Sequence, residues 1–336
     1  MRAFATLTRR GRAQRLRAIA RLALEQRGLG AASLAFLGDD TNILFRARLP
    51  GGEGFVVRIG VSGPTAHTPA EAAAETSWLA ALTASGLTVP QAVPDLAGRP
   101  VSLFSVPGVE GERVVVVFRW LPGRLLADHL TPANVAAYGR LAARLHAQAP
   151  GFRPPGNPSL PRYDRLFPFQ EPEVLFGPDP GPLLPPARAE LFRRGADRVE
   201  QALAGLRAAE PLRLLHGDLH PQNVLVHRGL LAPIDFEDLM WGWPIQDIAT
   251  AFYYLQHRPD FADIRKRFRE GYEEVARWPE GEPGELETFI AGRALVLAND
   301  VLQMPLETLG GLDVPQFFAR AERRLRAILD GDVFAG

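Results

Sequence analysis

The stretch Leu214–Val226 reads LLHGDLHPQNVLV, and Pro233–Asp238, which reads PIDFED, follows it closely. The first stretch has an acidic and an amide side chain in its polar centre, Asp218 and Asn223, and the second contributes another carboxylate, Asp235. Short apolar runs flank these polar residues and predict two strands that would hold the asparagine and the second aspartate on a rigid hairpin. These strands are expected at 224–226 and 231–234.

The residue types in these stretches suit phosphoryl transfer, in which the protein mainly positions the reactants and neutralises charge. The order H-G-D-L-H-P-Q-N followed by D-F-E keeps most of the spacing H-R-D-L-x-x-x-N and D-F-G of kinase catalytic loops. In such an arrangement Asp218 accepts the proton of the attacking hydroxyl, while Asn223 and Asp235 bind Mg²⁺ through hard oxygen ligands. A single aspartate could merely cap a turn or a helix, but the spaced set favours the catalytic interpretation.

The pattern in the first third of the chain predicts an antiparallel sheet, with one helix before it and a second helix between its third and fourth strands. The helices are expected at 13–27 and 70–85, and the strands at 34–37, 43–49, 55–59, 101–106 and 114–120. From Pro132 onward the pattern becomes helical, with helices at 134–148 and 187–208 and more towards the end. We therefore predict an α+β fold with two lobes, residues 1–121 and residues 122–336.

A proline-rich insert at 150–186 interrupts the second lobe. It cannot form a regular helix or a central strand, so we expect a long ordered loop. Loops of this length are often functional, but the sequence does not assign a role to this one.

Composition excludes several classes of protein. The formal net charge is +0, whereas a protein that coats nucleic acid is usually basic, so no nucleic-acid partner is expected. No apolar run approaches the roughly 20 residues of a membrane helix, so no membrane partner is expected. Cysteine is absent, which rules out thiolate metal sites and agrees with a cytoplasmic location. The oligomeric state is left open.

The motifs resemble those of the aminoglycoside phosphotransferase and choline kinase-like superfamily, the phosphotransferase enzyme family. Besides the two stretches above, Gly242–Ala249 matches the family's G-x-P-x-x-D-x-A, and both Phe118–Gly123 and Gly139–His146 resemble family segments. The sequence around Asp235 and Asp247 is similar to that of the homoserine kinase and bacterial stress-response kinase branches. The resemblance covers about residues 34–255 and implies a protein-kinase-like fold, with a small sheet lobe and a mainly helical lobe.

The resemblance also implies a nucleotide site. Arg58 lies where the family has its phosphate-binding cation, and the only lysine of the chain, Lys266, is far along the sequence. Glu75 is expected to pair with Arg58, although Glu71, one turn earlier, is a rival. The family's hinge residues, which border the nucleotide, correspond to Phe118, Arg119 and Trp120.

Three further residues are expected to support the catalytic loop. His216 and His220 are four residues apart, but Gly217 and Pro221 argue against a helical zinc motif, so we interpret the histidines as hydrogen-bonding partners of the loop. Asp247 is expected to accept hydrogen bonds from loop backbone or histidine.

Departures from the protein-kinase pattern favour a small-molecule kinase. Gly38–Asn42 replaces a glycine-rich loop, Gly217 replaces the arginine of H-R-D, and Glu237 replaces the glycine of D-F-G. The resemblance thus implies a kinase that needs ATP and Mg²⁺ and phosphorylates a hydroxyl of an amino alcohol, hydroxy amino acid or aminoglycoside. The alternatives are a bacterial Ser/Thr protein kinase of the stress-response type and a nucleotide-binding regulator without turnover.

The acceptor itself is not identified by the sequence, nor is the choice between ATP and GTP. Carboxylates beside the acceptor would suit a cationic amine. The candidates are Glu237 and Asp238 and, in the proline-rich insert, Glu171, Glu173 and Asp179. The three acidic residues in the insert could equally well be ordinary solvated surface carboxylates.

Overall fold

The computed structural model describes residues 4–39, 42–61, 66–169, 172–177, 181–304, 309 and 311–330. The chain forms two compact units. The first comprises Met1–Gly123, Phe152–Ser159 and Ala232–Glu237, and the second comprises Arg124–Gly151, Leu160–Leu231 and Asp238–Gly336. Because each unit is built from separate stretches, the single boundary at residue 121 stays a prediction. None of the helices in the described ranges has the length and apolar character needed to cross a membrane.

The first unit contains a five-stranded antiparallel sheet in the order β1-β2-β3-β5-β4. Its strands are β1 (Ser33–Asp39), β2 (Ile43–Arg48), β3 (Gly54–Ile59), β4 (Val101–Phe104) and β5 (Arg113–Arg119), and its helices are α1 (Arg9–Glu25) and α2 (Pro69–Ala84). Alternate residues of the strands, such as Phe45, Val57 and Val117, form a core with Leu16 and Ile19 of α1. The alternate strand residues and the apolar residues at helical spacing in α1 therefore pack into one apolar layer.

The second unit is mainly helical. It contains α3 (Pro132–Gln148), α4 (Pro186–Ala209), α5 (Pro244–Leu255), α6 (Phe261–Glu273), α7 (Glu285–Gln303) and α8 (Val314–Leu329). Its short strands are β6 (Arg124–Leu125), β7 (Arg213–Leu215), β8 (Val224–His227), β9 (Leu230–Pro233, whose end belongs to the first unit) and β10 (Met240–Gly242). The strands form a β6-β8-β9 sheet and an antiparallel β7-β10 pair.

Paired glycines bring α3 and α6 together. A Cβ atom on Gly139 would lie 1.9 Å from the carbonyl oxygen of Phe268, and one on Gly271 would lie 1.9 Å from that of Ala136. The two backbones are therefore closer than side chains at these positions would allow. This contact fixes α3, whose Tyr138 donates a hydrogen bond to the catalytic loop described below.

The proline-rich insert has no helix or strand in its described part from Phe152 to Pro185. Asn299 of α7 orders it locally, because its Oδ1 accepts hydrogen bonds from the backbone N–H groups of Val174 and Leu175, and its Nδ2 donates to the carbonyl of Pro172. The expected long ordered loop is thus present where the chain is described, and its function stays a prediction.

The α+β fold class and the main helices and strands predicted from the sequence are confirmed. The sequence did not predict β6, β7 or β10, which have only two or three residues and carry almost no periodicity. The tip of the first hairpin, residues 40–41, lies outside the described residues.

Candidate active site

Asp218 lies in the loop between β7 and β8, and both of its carboxylate oxygens have partners. Oδ1 accepts a hydrogen bond from Nη2 of Arg293 at 2.7 Å. Oδ2 lies 3.1 Å from Nε2 of His220 and accepts a hydrogen bond of 3.1 Å from Nδ2 of Asn223. With only 18% of its side chain exposed, Asp218 is a partly buried carboxylate held in one orientation from three directions.

These partners keep Asp218 ionised. Burial alone would raise its pKa, but the hydrogen bond from His220 and the charges of Arg293 and the two histidines outweigh burial, so the pKa lies below its usual range. Asp218 is therefore a carboxylate at neutral pH. It can accept a hydrogen bond from an incoming hydroxyl and orient it, but it is a weak base in the resting enzyme.

The backbone of the loop is anchored by buried side chains. Asp247, in the first turn of α5, accepts hydrogen bonds from the N–H groups of His216 (3.1 Å) and Gly217 (2.9 Å) and also lies 3.3 Å from Nε2 of His146. Tyr138 of α3 donates from its hydroxyl to the carbonyl of Leu219 at 2.6 Å. The loop around Asp218 is thus built before any substrate binds, as electrostatic catalysis requires.

Gly217 fits a backbone position that rejects other residues. Its φ is +84°, and a Cβ atom there would lie 2.0 Å from the carbonyl oxygen of Asp238. In the sequence this glycine replaces the arginine of H-R-D. The structure supplies a steric reason for the glycine, because an arginine in this conformation would be strained and would collide with backbone.

Asn223 and Asp235, the predicted metal ligands, belong to different units, and each carries an oxygen of the kind that binds Mg²⁺. Asn223 uses its Nδ2 for the carbonyl and the carboxylate of Asp218, which leaves its Oδ1 as the ligand atom. Asp235 is exposed and has a φ of +65°, a left-handed conformation that is uncommon for residues other than glycine. An amide oxygen and a carboxylate are hard ligands of the type that Mg²⁺ prefers, so these residues fit the predicted metal.

The first unit contains a small pocket, which is open to solvent and has Arg58 in its wall. The guanidinium of Arg58 donates two hydrogen bonds to the carboxylate of Glu75, one of them at 2.9 Å, and its Nη1 lies 3.8 Å from Glu237. Asn42 also donates to Glu237. Burial alone would lower the pKa of Arg58, but Glu75, Glu237 and Asp235 outweigh it, so the pKa is raised and the charge is permanent.

The structure decides between the two glutamates on α2. Glu75 pairs with Arg58, whereas Glu71 accepts a hydrogen bond from the backbone N–H of Thr68, whose hydroxyl accepts one from Glu71 N–H in return. Glu71 is thus part of a capping box that begins the helix. Although it borders the pocket, its carboxylate is already used locally.

Comparison with known proteins gives the family. Residues 36–283 match the phosphotransferase enzyme family. The chain belongs to this family. Two curated proteins are similar in sequence. One, from Deinococcus radiodurans, is uncharacterised and is 29% identical over 73% of this chain and 71% of its own length. The other, amicoumacin kinase of Bacillus subtilis, is 26% identical over 55% of this chain and 53% of its own length.

Solved structures show the same fold. A microcompartment-associated aminopropanol kinase superposes with a TM-score of 0.77 at 23% identity, over 94% of this chain and 98% of its own. Amicoumacin kinase hAmiN, in complex with AMP-PNP, Ca²⁺ and amicoumacin, gives a TM-score of 0.70 at 19% identity over 94% and 96% of the two chains. The predicted kinase-like fold and the kinase class of the enzyme are therefore confirmed.

The hinge of this phosphotransferase is only partly available to a nucleotide. The backbone N–H of Arg119 donates to Gln91 at 2.9 Å, and that of Trp120 donates to Gly54 at 2.9 Å. Phe118 is buried, with its ring 5.2 Å from the guanidinium carbon of Arg58. These three residues stay predicted nucleotide contacts, but Arg119 and Trp120 would have to use groups other than their amide hydrogens.

Arg293 is the residue of the phosphotransferase site that the sequence analysis missed. It follows Asp218 by 75 residues and lies on α7, where its side chain is only 11% exposed. A signal was present, because Arg293 is the one charge within the otherwise apolar or small run Phe289–Ala298. A cation inside a buried helical face needs a partner, and here that partner is the candidate catalytic carboxylate.

Among the acidic residues expected near the acceptor, Asp238 lies beside the catalytic loop, where its carbonyl oxygen faces Gly217. Glu237 contacts Arg58 and Asn42 in the first unit, and Glu173 is exposed. Glu171 and Asp179 lie outside the described residues. An acidic acceptor site made of these residues therefore stays a prediction.

Proposed function

We propose that this phosphotransferase moves the γ-phosphoryl group of ATP to a hydroxyl of a small molecule, with Mg²⁺ as cofactor. The observation that carries the proposal is the geometry of Asp218, a partly buried carboxylate held by Arg293, His220 and Asn223 in an anchored loop. The family and the aminopropanol and amicoumacin kinases support a small acceptor, and the AMP-PNP and Ca²⁺ of hAmiN support a nucleotide with a divalent ion.

In this mechanism Asp218 accepts the hydrogen bond of the acceptor hydroxyl and directs its oxygen at the γ-phosphorus. The new O–P bond forms as the bond to the β-phosphate oxygen breaks, and ADP carries away the bonding electrons. The hydroxyl proton passes to Asp218 late in the transfer. A low pKa suits this role, because phosphoryl transfer depends more on orientation than on deprotonation.

The nucleotide and metal residues follow from the same proposal. Asn223, through Oδ1, and Asp235, through its exposed carboxylate, would bind Mg²⁺, which neutralises charge on the phosphates. Arg58 would contact a phosphate oxygen while Glu75 and Glu237 hold its guanidinium in place. Arginine can serve several oxygens at once, because it has five N–H donors in a planar fork.

The substitution Asp218→Asn tests the central step. It keeps the size of the side chain and one oxygen that can accept from Arg293, but it removes the carboxylate. We expect kcat to fall by roughly 10²–10⁴-fold, with ATP affinity little changed, when ADP release is measured with amino alcohols, hydroxy amino acids and aminoglycosides. Asp95→Asn is the matched control, because Asp95 is also a buried carboxylate paired with an arginine, Arg99.

Two outcomes would contradict the proposal. Turnover of Asp218→Asn near the level of the unaltered enzyme would remove Asp218 from the mechanism. Labelling of serine or threonine in a generic protein substrate, with no small molecule phosphorylated, would instead indicate a protein kinase.

A further inference from the structure

The surroundings of Asp218 favour one class of acceptor over another. The described residues that contact its carboxylate or its backbone N–H are Arg293, His220, Asn223 and His216, and each of them is basic or neutral. An ammonium group carried next to the acceptor hydroxyl would therefore approach a guanidinium. An oxygen anion at the same place would be attracted to it.

The guanidinium of Arg293 also has donors to spare. One nitrogen, Nη2, donates to Asp218, and the phenol of Tyr254 lies near the group. Nε is buried and has no hydrogen-bond partner among the described residues. A guanidinium has five N–H donors, so the contacts with Asp218 and Tyr254 leave it able to bind a second carboxylate.

The two tyrosines near Arg293 stay neutral. Burial raises the pKa of Tyr163 to about 12 and raises that of Tyr254 as well, so neither hydroxyl supplies a negative charge at neutral pH. Both can donate or accept a hydrogen bond. Tyr254 also packs against His220, with ring centroids 4.6 Å apart, so it belongs to the wall around Asp218. The only negative charge that contacts Arg293 among the described residues is thus Asp218.

We propose that Arg293, with Tyr254 beside it, is a specificity-determining residue that binds a carboxylate of the acceptor while it holds Asp218, so that the enzyme phosphorylates hydroxy acids, including hydroxy amino acids, in preference to simple amino alcohols. The inference rests on the proposed function, because it assumes that Asp218 orients the acceptor hydroxyl. It differs from the cationic-amine acceptor that the acidic residues of the sequence suggested.

A panel of acceptors matched in size tests the proposal. Glycolate, lactate and glycerate are compared with the amines that replace their carboxylate by an aminomethyl group, namely ethanolamine, aminopropanol and aminopropanediol, and with the corresponding diols. Phosphorylated product is measured together with ADP. We expect kcat/KM for the hydroxy acids to exceed that for the amines by about 10- to 100-fold, the value of one charge-assisted hydrogen bond.

Variants of Arg293 then assign the preference to this side chain. Arg293→Gln should remove the preference for hydroxy acids and leave KM for ATP unchanged, while kcat falls for both series because Asp218 loses one of its partners. Arg293→Lys should restore part of the preference, since a point charge replaces a fork. Arg265→Gln is the matched control, because Arg265 also pairs with a buried carboxylate, that of Glu287, and makes no contact with Asp218 among the described residues. It should keep the preference.

The outcomes separate this inference from the proposed function. Preferential phosphorylation of the amines, or a preference that survives Arg293→Gln, overturns the role of Arg293 but leaves a kinase. Binding of ATP without turnover of either series also overturns it, since the hydroxy acids are expected to react. Failure to bind ATP at all would overturn the proposed function itself.

Discussion

Gly217→Ala is the substitution whose cost can be worked out most directly from the structure. The alanine would have to adopt a φ of +84°, which costs a non-glycine residue about 1–2 kcal/mol. It would also lie 2.0 Å from the carbonyl oxygen of Asp238, which is backbone and cannot rotate away. Overpacking of this kind typically costs about 1–3 kcal/mol. The free energy of unfolding should therefore fall by about 2–5 kcal/mol, the sum of these two ranges.

Gly229→Ala separates the two contributions. Gly229 has a φ of +79°, but a Cβ atom there meets nothing within 4 Å, so only the conformational cost applies. Urea denaturation of both variants should thus show Gly217→Ala less stable than Gly229→Ala by about 1–3 kcal/mol, which is the cost of the collision.

The same substitution should affect turnover, because Gly217 precedes Asp218 and its N–H is bonded to Asp247. A displacement of about 1 Å at a catalytic group can cost about 10²-fold in rate. ADP release should fall by that order in Gly217→Ala and stay nearly unchanged in Gly229→Ala. If the two variants are equally stable and equally active, the steric explanation for this glycine is wrong.

Two further predictions concern the nucleotide and the metal. Arg58→Ala should raise KM for ATP more than KM for the acceptor, and Arg58→Lys should recover only part of the loss, because one ammonium cannot make the paired contacts that Arg58 makes with Glu75; equal effects on both substrates would place Arg58 elsewhere. Asp235→Ala should weaken Mg²⁺-dependent nucleotide binding more than Asn223→Ala does, because it removes a full charge, and identical Mg²⁺ titrations of Asp235→Ala and the unaltered enzyme would refute the metal assignment.

The catalytic loop could be predicted from the sequence because its residues are close along the chain. Asp218 and Asn223 are five apart, and the contact between them is a local one. The sequence also contains the information needed to choose between Glu71 and Glu75 as the partner of Arg58. Thr68, Pro69 and Glu71 form the pattern of a capping box, which assigns Glu71 to the helix start and leaves Glu75 for Arg58.

Contacts that join distant parts of a unit could not be predicted in the same way. Arg293 reaches Asp218 from 75 residues away, and Asn299 orders the insert from 124 to 127 residues away. Such partners depend on how helices pack, and one sequence shows only that a polar residue lies within an apolar helix. Gly217 illustrates the same limit. A larger residue is excluded there by the carbonyl of Asp238, and the position of that carbonyl depends on the β7-β10 pairing nearby.

Glu237 changes how the pocket in the first unit is expected to bind a nucleotide. Where protein kinases have the glycine of D-F-G, this side chain accepts a hydrogen bond from Asn42 and lies 3.8 Å from Arg58, which Glu75 already holds. The single positive charge of Arg58 is therefore opposed by two carboxylates within the same unit. A triphosphate would gain little net attraction from Arg58, because the two negative charges of Glu75 and Glu237 offset its single positive charge. In the proposed function divalent cations would supply most of the neutralisation, and for this reason we expect loss of Asp235 to impair nucleotide binding more than loss of Arg58.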